Sequence, residues 1–235
     1  NFTLGPLYTP PSPWVEGGNQ GTLTLPSTWG AGNWNTGAFD PETGMYFAVS
    51  YTAADNLGIA PTTSDSATMT HTLAQRSPST PVIQGLPLFK PPYGRVTALN
   101  MNTGELEWSV ANGDGPRDHP LLRELDLPPL GIPNRPAPLV TKSLLFAGEG
   151  SDAVVGTVPG GGGAYDSADT GYDESWRWGT LFRAFDKSTG ATVFEIDLAA
   201  GTTGAPMTYM HEGKQYIVVA VSSRATDPEW VALGL

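Results

Sequence analysis

Cysteine is absent from the 235 residues, which removes disulfides and thiolate metal sites; cysteine usage therefore does not tell an oxidising compartment from a reducing one. The three histidines, His71, His119 and His211, stand far apart with no paired spacing, so there is no zinc signature. Positive charge is scarce. Twelve Lys and Arg against twenty-three Asp and Glu leave a net charge of −11, with no basic stripe to meet a phosphate backbone, and this excludes a nucleic-acid partner. No apolar run approaches the roughly 18 residues of a spanning helix. Ser27, Ser151 and Ser222 lack the context of a nucleophile elbow, and Gly160 to Gly163 lacks the Lys-Ser/Thr of a phosphate loop. The chain opens on Asn1-Phe-Thr-Leu, with neither Met nor a signal-like apolar segment, and is read as a piece of a longer polypeptide.

What the chain has is turn residues and short apolar runs. Its 29 Gly and 22 Pro, with seven Trp and a hydrophobic share of 39%, favour a turn-rich all-β protein over disorder. One phrase is written three times: Ala, one residue, Asn or Asp, two residues, Thr-Gly. It stands at Ala38/Asp40/Thr43/Gly44, at Ala98/Asn100/Thr103/Gly104 and at Ala184/Asp186/Thr189/Gly190. Each copy reads as strand, tight turn, strand: the Asn or Asp side chain caps its own turn and the Gly takes a left-handed conformation. The copies lie 60 and 86 residues apart, counted between Asp40, Asn100 and Asp186. Propeller blades repeat every ~40 to 50 residues, so each interval is read as one blade with an insertion.

In chain order, residues 1–20 read as coil and 21–25 as a strand that ends a preceding blade. Strands follow at 36–40 and 45–51. Residues 52–92 have little period and read as a long insertion within one blade, which strands 96–100 and 105–110 finish. A polar connection with a short helix near 121–125 leads to strands 137–141, 144–148, 181–186 and 192–197. A second insertion, 151–179, interrupts these. The last strands, 205–210, 215–221 and 230–233, make a blade lacking its fourth strand, so the whole reads as a single incomplete β-propeller domain. Trp108 is expected to dock on the neighbouring blade, in a slot filled by Phe194 in the later copy.

Four segments then carry a resemblance. Leu86-Pro-Leu-Phe-Lys-Pro-Pro-Tyr-Gly-Arg-Val-Thr-Ala-Leu-Asn-Met-Asn-Thr-Gly-Glu-Leu-Glu-Trp108 closely resembles a segment of the pyrroloquinoline quinone (PQQ) dependent dehydrogenases, especially their membrane-bound glucose dehydrogenase branch. Pro138 to Phe146, Phe182 to Gly190 and Gly204 to Val219 are similar to the following segments of that family, in order. The resemblance implies the C-terminal blades of an eight-bladed propeller with PQQ and a calcium or magnesium ion at its axis. It also implies oxidation of an aldose or alcohol in the periplasm, with electrons passed to ubiquinone or a cytochrome, and membrane attachment only through segments upstream. The catalytic Asp and most cation ligands of the family lie upstream of the matched part, so no catalytic or metal residue is assigned here and the chain alone is expected to be inactive.

Asn33-Trp34 matches the family's Asn-Trp pair, which implies that the Asn hydrogen-bonds the quinone while the Trp lines its pocket; a turn Asn beside a core Trp is the plainer alternative. Glu149 and Asp152, following strand 144–148, are candidates for the pocket mouth. The other acids of the second insertion, Asp166, Asp169, Asp173 and Glu174, match no known cation loop and read as a solvated loop. Ser222-Ser-Arg224 departs from the family's Gly-rich turn. A rival from another class is a non-catalytic propeller serving as a protein-binding scaffold in the cell envelope.

Overall fold

The three Thr-Gly turns set the architecture of the protein, whose computed structural model describes residues 2–27, 30–33, 37–74, 82–151 and 178–235. In each copy the Asn or Asp carboxamide or carboxylate accepts a backbone N–H two residues on: Glu42 to Asp40 at 3.1 Å, Asn102 to Asn100 at 3.0 Å, Ser188 to Asp186 at 2.8 Å. Gly44, Gly104 and Gly190 close the turns at φ of 74°, 78° and 76°, a region that a side chain disfavours. Each turn folds a hairpin, as its sequence requires.

The strands along the chain are β1 (Ser12–Pro13), β2 (Thr22–Thr24), β3 (Gly37–Asp40), β4 (Met45–Tyr51), β5 (Asp55–Pro61), β6 (His71–Leu73), β7 (Val82–Ile83), β8 (Leu86–Pro87), β9 (Gly94–Asn100) and β10 (Glu105–Ala111). After a single 3-10 turn at Arg123–Leu125 come β11 (Leu139–Val140), β12 (Leu144–Gly148), β13 (Leu181–Asp186), β14 (Thr192–Asp197), β15 (Met207–His211), β16 (Lys214–Val221) and β17 (Glu229–Gly234). Three antiparallel sheets form the body, in the orders β10-β9-β4-β3, β11-β12-β13-β14 and β15-β16-β17.

These sheets stack face to face. Alternate residues of β4, β9 and β10 (Phe47, Val49, Val96, Ala98, Trp108) meet Leu145, Ala147 and Phe185 of the second sheet in one apolar layer. The opposite side of that sheet, with Phe146, Phe182 and Ala184, meets Ile217, Val219 and Val221 of β16 in the next layer. A period of two sends neighbouring residues of one strand into different layers, which is why β12 and β13 are apolar nearly throughout.

Two expectations are corrected. The 60-residue spacing of the first two copies is not a blade repeat, although the reading of strands 36–40, 45–51, 96–100 and 105–110 as one blade holds: the two copies form the first and last hairpins of one sheet, and their turns touch through Met101 N–H on Gly44 O (2.9 Å). Only the third copy lies on the next sheet. Residues 21–25 do not end a separate blade either, because β2 pairs with β5 from inside the 52–92 insertion. β5 escapes a search for alternating apolar residues because its most buried positions are Asn56 and Gly58. The insertion does lie between two strands of one sheet, and the last sheet has three strands among the described residues.

The slot expected for Phe194 is also absent. Trp108 is 9% exposed, whereas Phe194 is 56% exposed. Trp108 lies against Gly190 and donates its Nε1–H to Lys187 O (3.1 Å), while the turn glycine of the third sheet, Gly213, has nothing near it to pack on.

Candidate functional site

The sheets have two unlike ends. At one end the Thr-Gly turns bond mostly to one another, and Lys187 Nζ reaches Asp40 Oδ2 at 2.5 Å across the first two sheets. At the other end the strands run out into loops, and there the buried polar side chains gather: Ser27, Asn112, Asn134, Glu149, Ser151, Thr202 and Ser222. Buried polar groups need partners, and here they find them across sheets. Asn112 donates to Gly148 O (2.8 Å), Asn134 to Ser151 O (3.5 Å), and Ser151 Oγ to Ser222 O. Asn112 Oδ1 and Thr202 Oγ1 are buried with no hydrogen-bond partner among the described residues.

Asn33 belongs to this end. Its loop is tied to the tip of β4 by Tyr51 N–H on Ala31 O (2.8 Å), and Asn33 itself is exposed. Beneath it Tyr51 is buried, which pushes its phenol up from the ordinary value; a hydrogen bond with Ser27 and the charge of Arg135 act the other way. Trp34 lies outside the described residues. So does Asp152, with nearly all of the second insertion.

Glu149 sits at the end of β12 and is buried rather than open at a rim. Arg183 of β13 meets it at 2.7 Å and also meets Glu195 of β14 at 3.2 Å. Leu181 N–H donates to its second oxygen at 3.3 Å. Burial nevertheless raises the Glu149 carboxyl above its ordinary value, more than Arg183 lowers it, because solvation is lost faster than a single shared cation restores it. Nothing in the sequence announces this pair, since Arg183 comes after the insertion, 34 residues further on.

A flat, carbonyl-rich cofactor needs both donors and acceptors along its edge, and the Asn33 carboxamide carries both on an accessible loop, so it fits one such contact. A hard cation needs several oxygens together. Among the described residues no group of three or more His, Asp or Glu side chains is placed to hold a metal ion.

The family described as PQQ: glucose/ethanol/alcohol dehydrogenase, beta-propeller domain, matches residues 1–169 and 170–217. The quinate/shikimate dehydrogenase (quinone) of Acinetobacter baylyi is 29% identical over 148 residues, covering 62% of this chain and 15% of that protein. The glycerol dehydrogenase large subunit of Gluconobacter thailandicus is 25% identical over 242 residues, covering 90% of this chain and 28% of that protein. In three dimensions the chain is similar to the quinohemoprotein alcohol dehydrogenase from Comamonas testosteroni, with a TM-score of 0.53 and 18% identity over 89% of this chain and 27% of that one. The chain therefore spans well under a third of these relatives, and its stacked sheets are a portion of a β-propeller.

Proposed function

The chain belongs to the glucose/ethanol/alcohol dehydrogenase β-propeller family of PQQ-dependent proteins, and from that premise we propose that residues 1–235 form one incomplete propeller domain of a periplasmic dehydrogenase for a sugar or alcohol. The observation that carries this reading is the extent of the family match, which runs through the first two stacked sheets and into β16 of the third. The substrates named for the relatives, quinate, shikimate and glycerol, share a hydroxyl on a saturated carbon, and that is the group the site is proposed to oxidise. Electrons pass on to a quinone or a cytochrome.

When bound, PQQ supplies an ortho-quinone that accepts hydride from the substrate carbon. The part of this chain is to hold it. Asn33, on a loop fixed by the β4 tip, would donate an N–H to an oxygen at the cofactor's edge; Trp34 is proposed to wall the pocket. Glu149, pinned by Arg183, stiffens the same end and with Asp152 is proposed to shape its mouth. No residue here is given the part of base, and the ligands of the accompanying calcium or magnesium ion are assigned to no described residue.

The test is a full-length protein containing this chain, loaded with PQQ and calcium and followed by dye reduction. Reduction with glucose, glycerol or ethanol is expected. Silence with every sugar, every simple alcohol and quinate would overturn the reading and favour the scaffold.

A further inference from the structure

The 52–92 insertion holds a cavity of about 770 Å³ between the β5–β6 hairpin, its connecting loop and Trp14. That is within the range of small-molecule sites, about 300–1,000 Å³. Its floor is made by small residues: Ala60 and Ala74 line it, and Gly58 lies beside them on β5. A Cβ at Gly58 would come within 2.9 Å of Trp14 Cβ, so the missing side chain is what lets the tryptophan lie on the strand. Trp14 is fixed there by its own backbone, donating N–H to Ile59 O at 2.8 Å in the parallel β1–β5 pairing. The indole is a built wall, held by the sheet.

The chemistry of the lining is unusual for so acidic a chain. Among its thirteen residues none is charged and none is an amide; every polar side chain is a hydroxyl, from Thr62, Thr63, Ser64, Ser66, Thr68 and Thr72. Part of this set is already ordered, with Ser64 and Ser66 hydroxyls 3.0 Å apart and Ser64 N–H donating to Thr62 Oγ1 at 3.2 Å.

We propose that this open cavity binds a short, neutral carbohydrate, its apolar C–H face stacked on Trp14 and its hydroxyls meeting the Ser and Thr side chains of the lining. A hydroxyl both donates and accepts, so several of them suit a ligand that does the same at every position. The electron-rich indole face attracts the polarised C–H groups of a sugar and excludes water from them. The lack of any cation leaves an acidic ligand without a counter-charge, so sugar acids and quinate are rejected.

Saturation-transfer NMR on a full-length protein containing this chain, with no cofactor added, tests this with maltose and cellobiose as probes and glucuronate and a short-chain benzoquinone as controls. Transfer to at least one disaccharide is expected, with little to glucuronate. Trp14→Ala is expected to weaken binding about tenfold, the size of one aromatic contact. Thr72→Val, which keeps shape and removes one hydroxyl, should weaken it less while circular dichroism stays unchanged; this variant covers the case in which Trp14→Ala does not fold. No transfer from either disaccharide at millimolar concentration overturns the proposal. So does binding untouched by Thr72→Val and Trp14→Ala, equal binding of glucuronate, or displacement of the sugar by the benzoquinone. Because no redox step is involved, the outcome is independent of the dehydrogenase assay.

Discussion

Asp40 and Glu149 are both buried carboxylates facing a cation, yet they move in opposite directions. The Lys187 hydrogen bond, helped by the Thr43 hydroxyl, holds Asp40 below its ordinary value of 3.8, while burial holds Glu149 above 4.5 despite Arg183. By linkage, the stability that Asp40 contributes is present above 3.8 and is lost as pH falls through its lower folded value. Glu149 behaves in reverse: its contribution is present below 4.5 and is lost as pH rises through its higher folded value. Urea unfolding across acid and neutral pH should therefore show Asp40→Asn approaching the parent at low pH. The parent should lose ground against Glu149→Gln as pH rises, and the opposite trend would mean that Arg183, not burial, governs the site. Asn33 has its own test. In a full-length protein, Asn33→Ala is expected to weaken PQQ binding about tenfold, one hydrogen bond to an edge oxygen, with an unchanged circular dichroism spectrum. Unaltered affinity would remove Asn33 from the site. Asn33 and Trp34 are legible in the sequence only through resemblance, since an Asn beside a Trp has no signature of its own. Glu149 could be placed at the end of its strand, but its partner could not be read, because ion pairs across an insertion leave no local pattern.

The hairpins were the most readable elements, because a turn writes its rule into four adjacent residues. Asp40, Asn100 and Asp186 each cap the predicted turn, and Gly44, Gly104 and Gly190 each take the predicted backbone. Less readable was what the turns do for each other. Trp108 of the second copy rests on Gly190 of the third, and Lys187 of the third reaches Asp40 of the first. All three phrases thus meet at one node between two sheets. Trp108→Ala is expected to cost about 3–5 kcal/mol in urea unfolding, the usual range for deleting a buried aromatic ring. Phe194→Ala should cost far less, since that ring is 56% exposed. Equal costs would show that the indole is not what fastens the first sheet to the second. β5 was missed for the converse reason: its pairing is made by backbone, and its most buried positions carry an amide and a glycine.

At the scale of the whole molecule, sheet membership was legible for the strands that flank both insertions, and lost for those inside the first, where β5 pairs with β2. The order of strands in the second and third sheets follows the chain, with β12 and β13 of the second joined across the 151–179 insertion. The return of β9 to β4 across the first insertion was legible because apolar strands resume beside a second copy of the same turn, while the spacing of the copies misled as a blade period. The family match weighs for a dehydrogenase and gives the scaffold reading no support of its own.

The far side of the third sheet carries one more implication. Met207, Tyr209, Tyr216 and Trp230 share it, with Trp230 73% exposed, and the two tyrosine rings lie nearly parallel at 5.2 Å. Nothing among the described residues covers them. Such a surface is adhesive toward its own kind, and if these 235 residues are prepared alone, mutual repulsion among bodies bearing a charge of −11 is expected to hold copies apart in dilute buffer. Salt shortens the reach of that repulsion to about 8 Å at physiological strength and leaves the aromatic attraction intact, so brine is the condition in which these molecules come together.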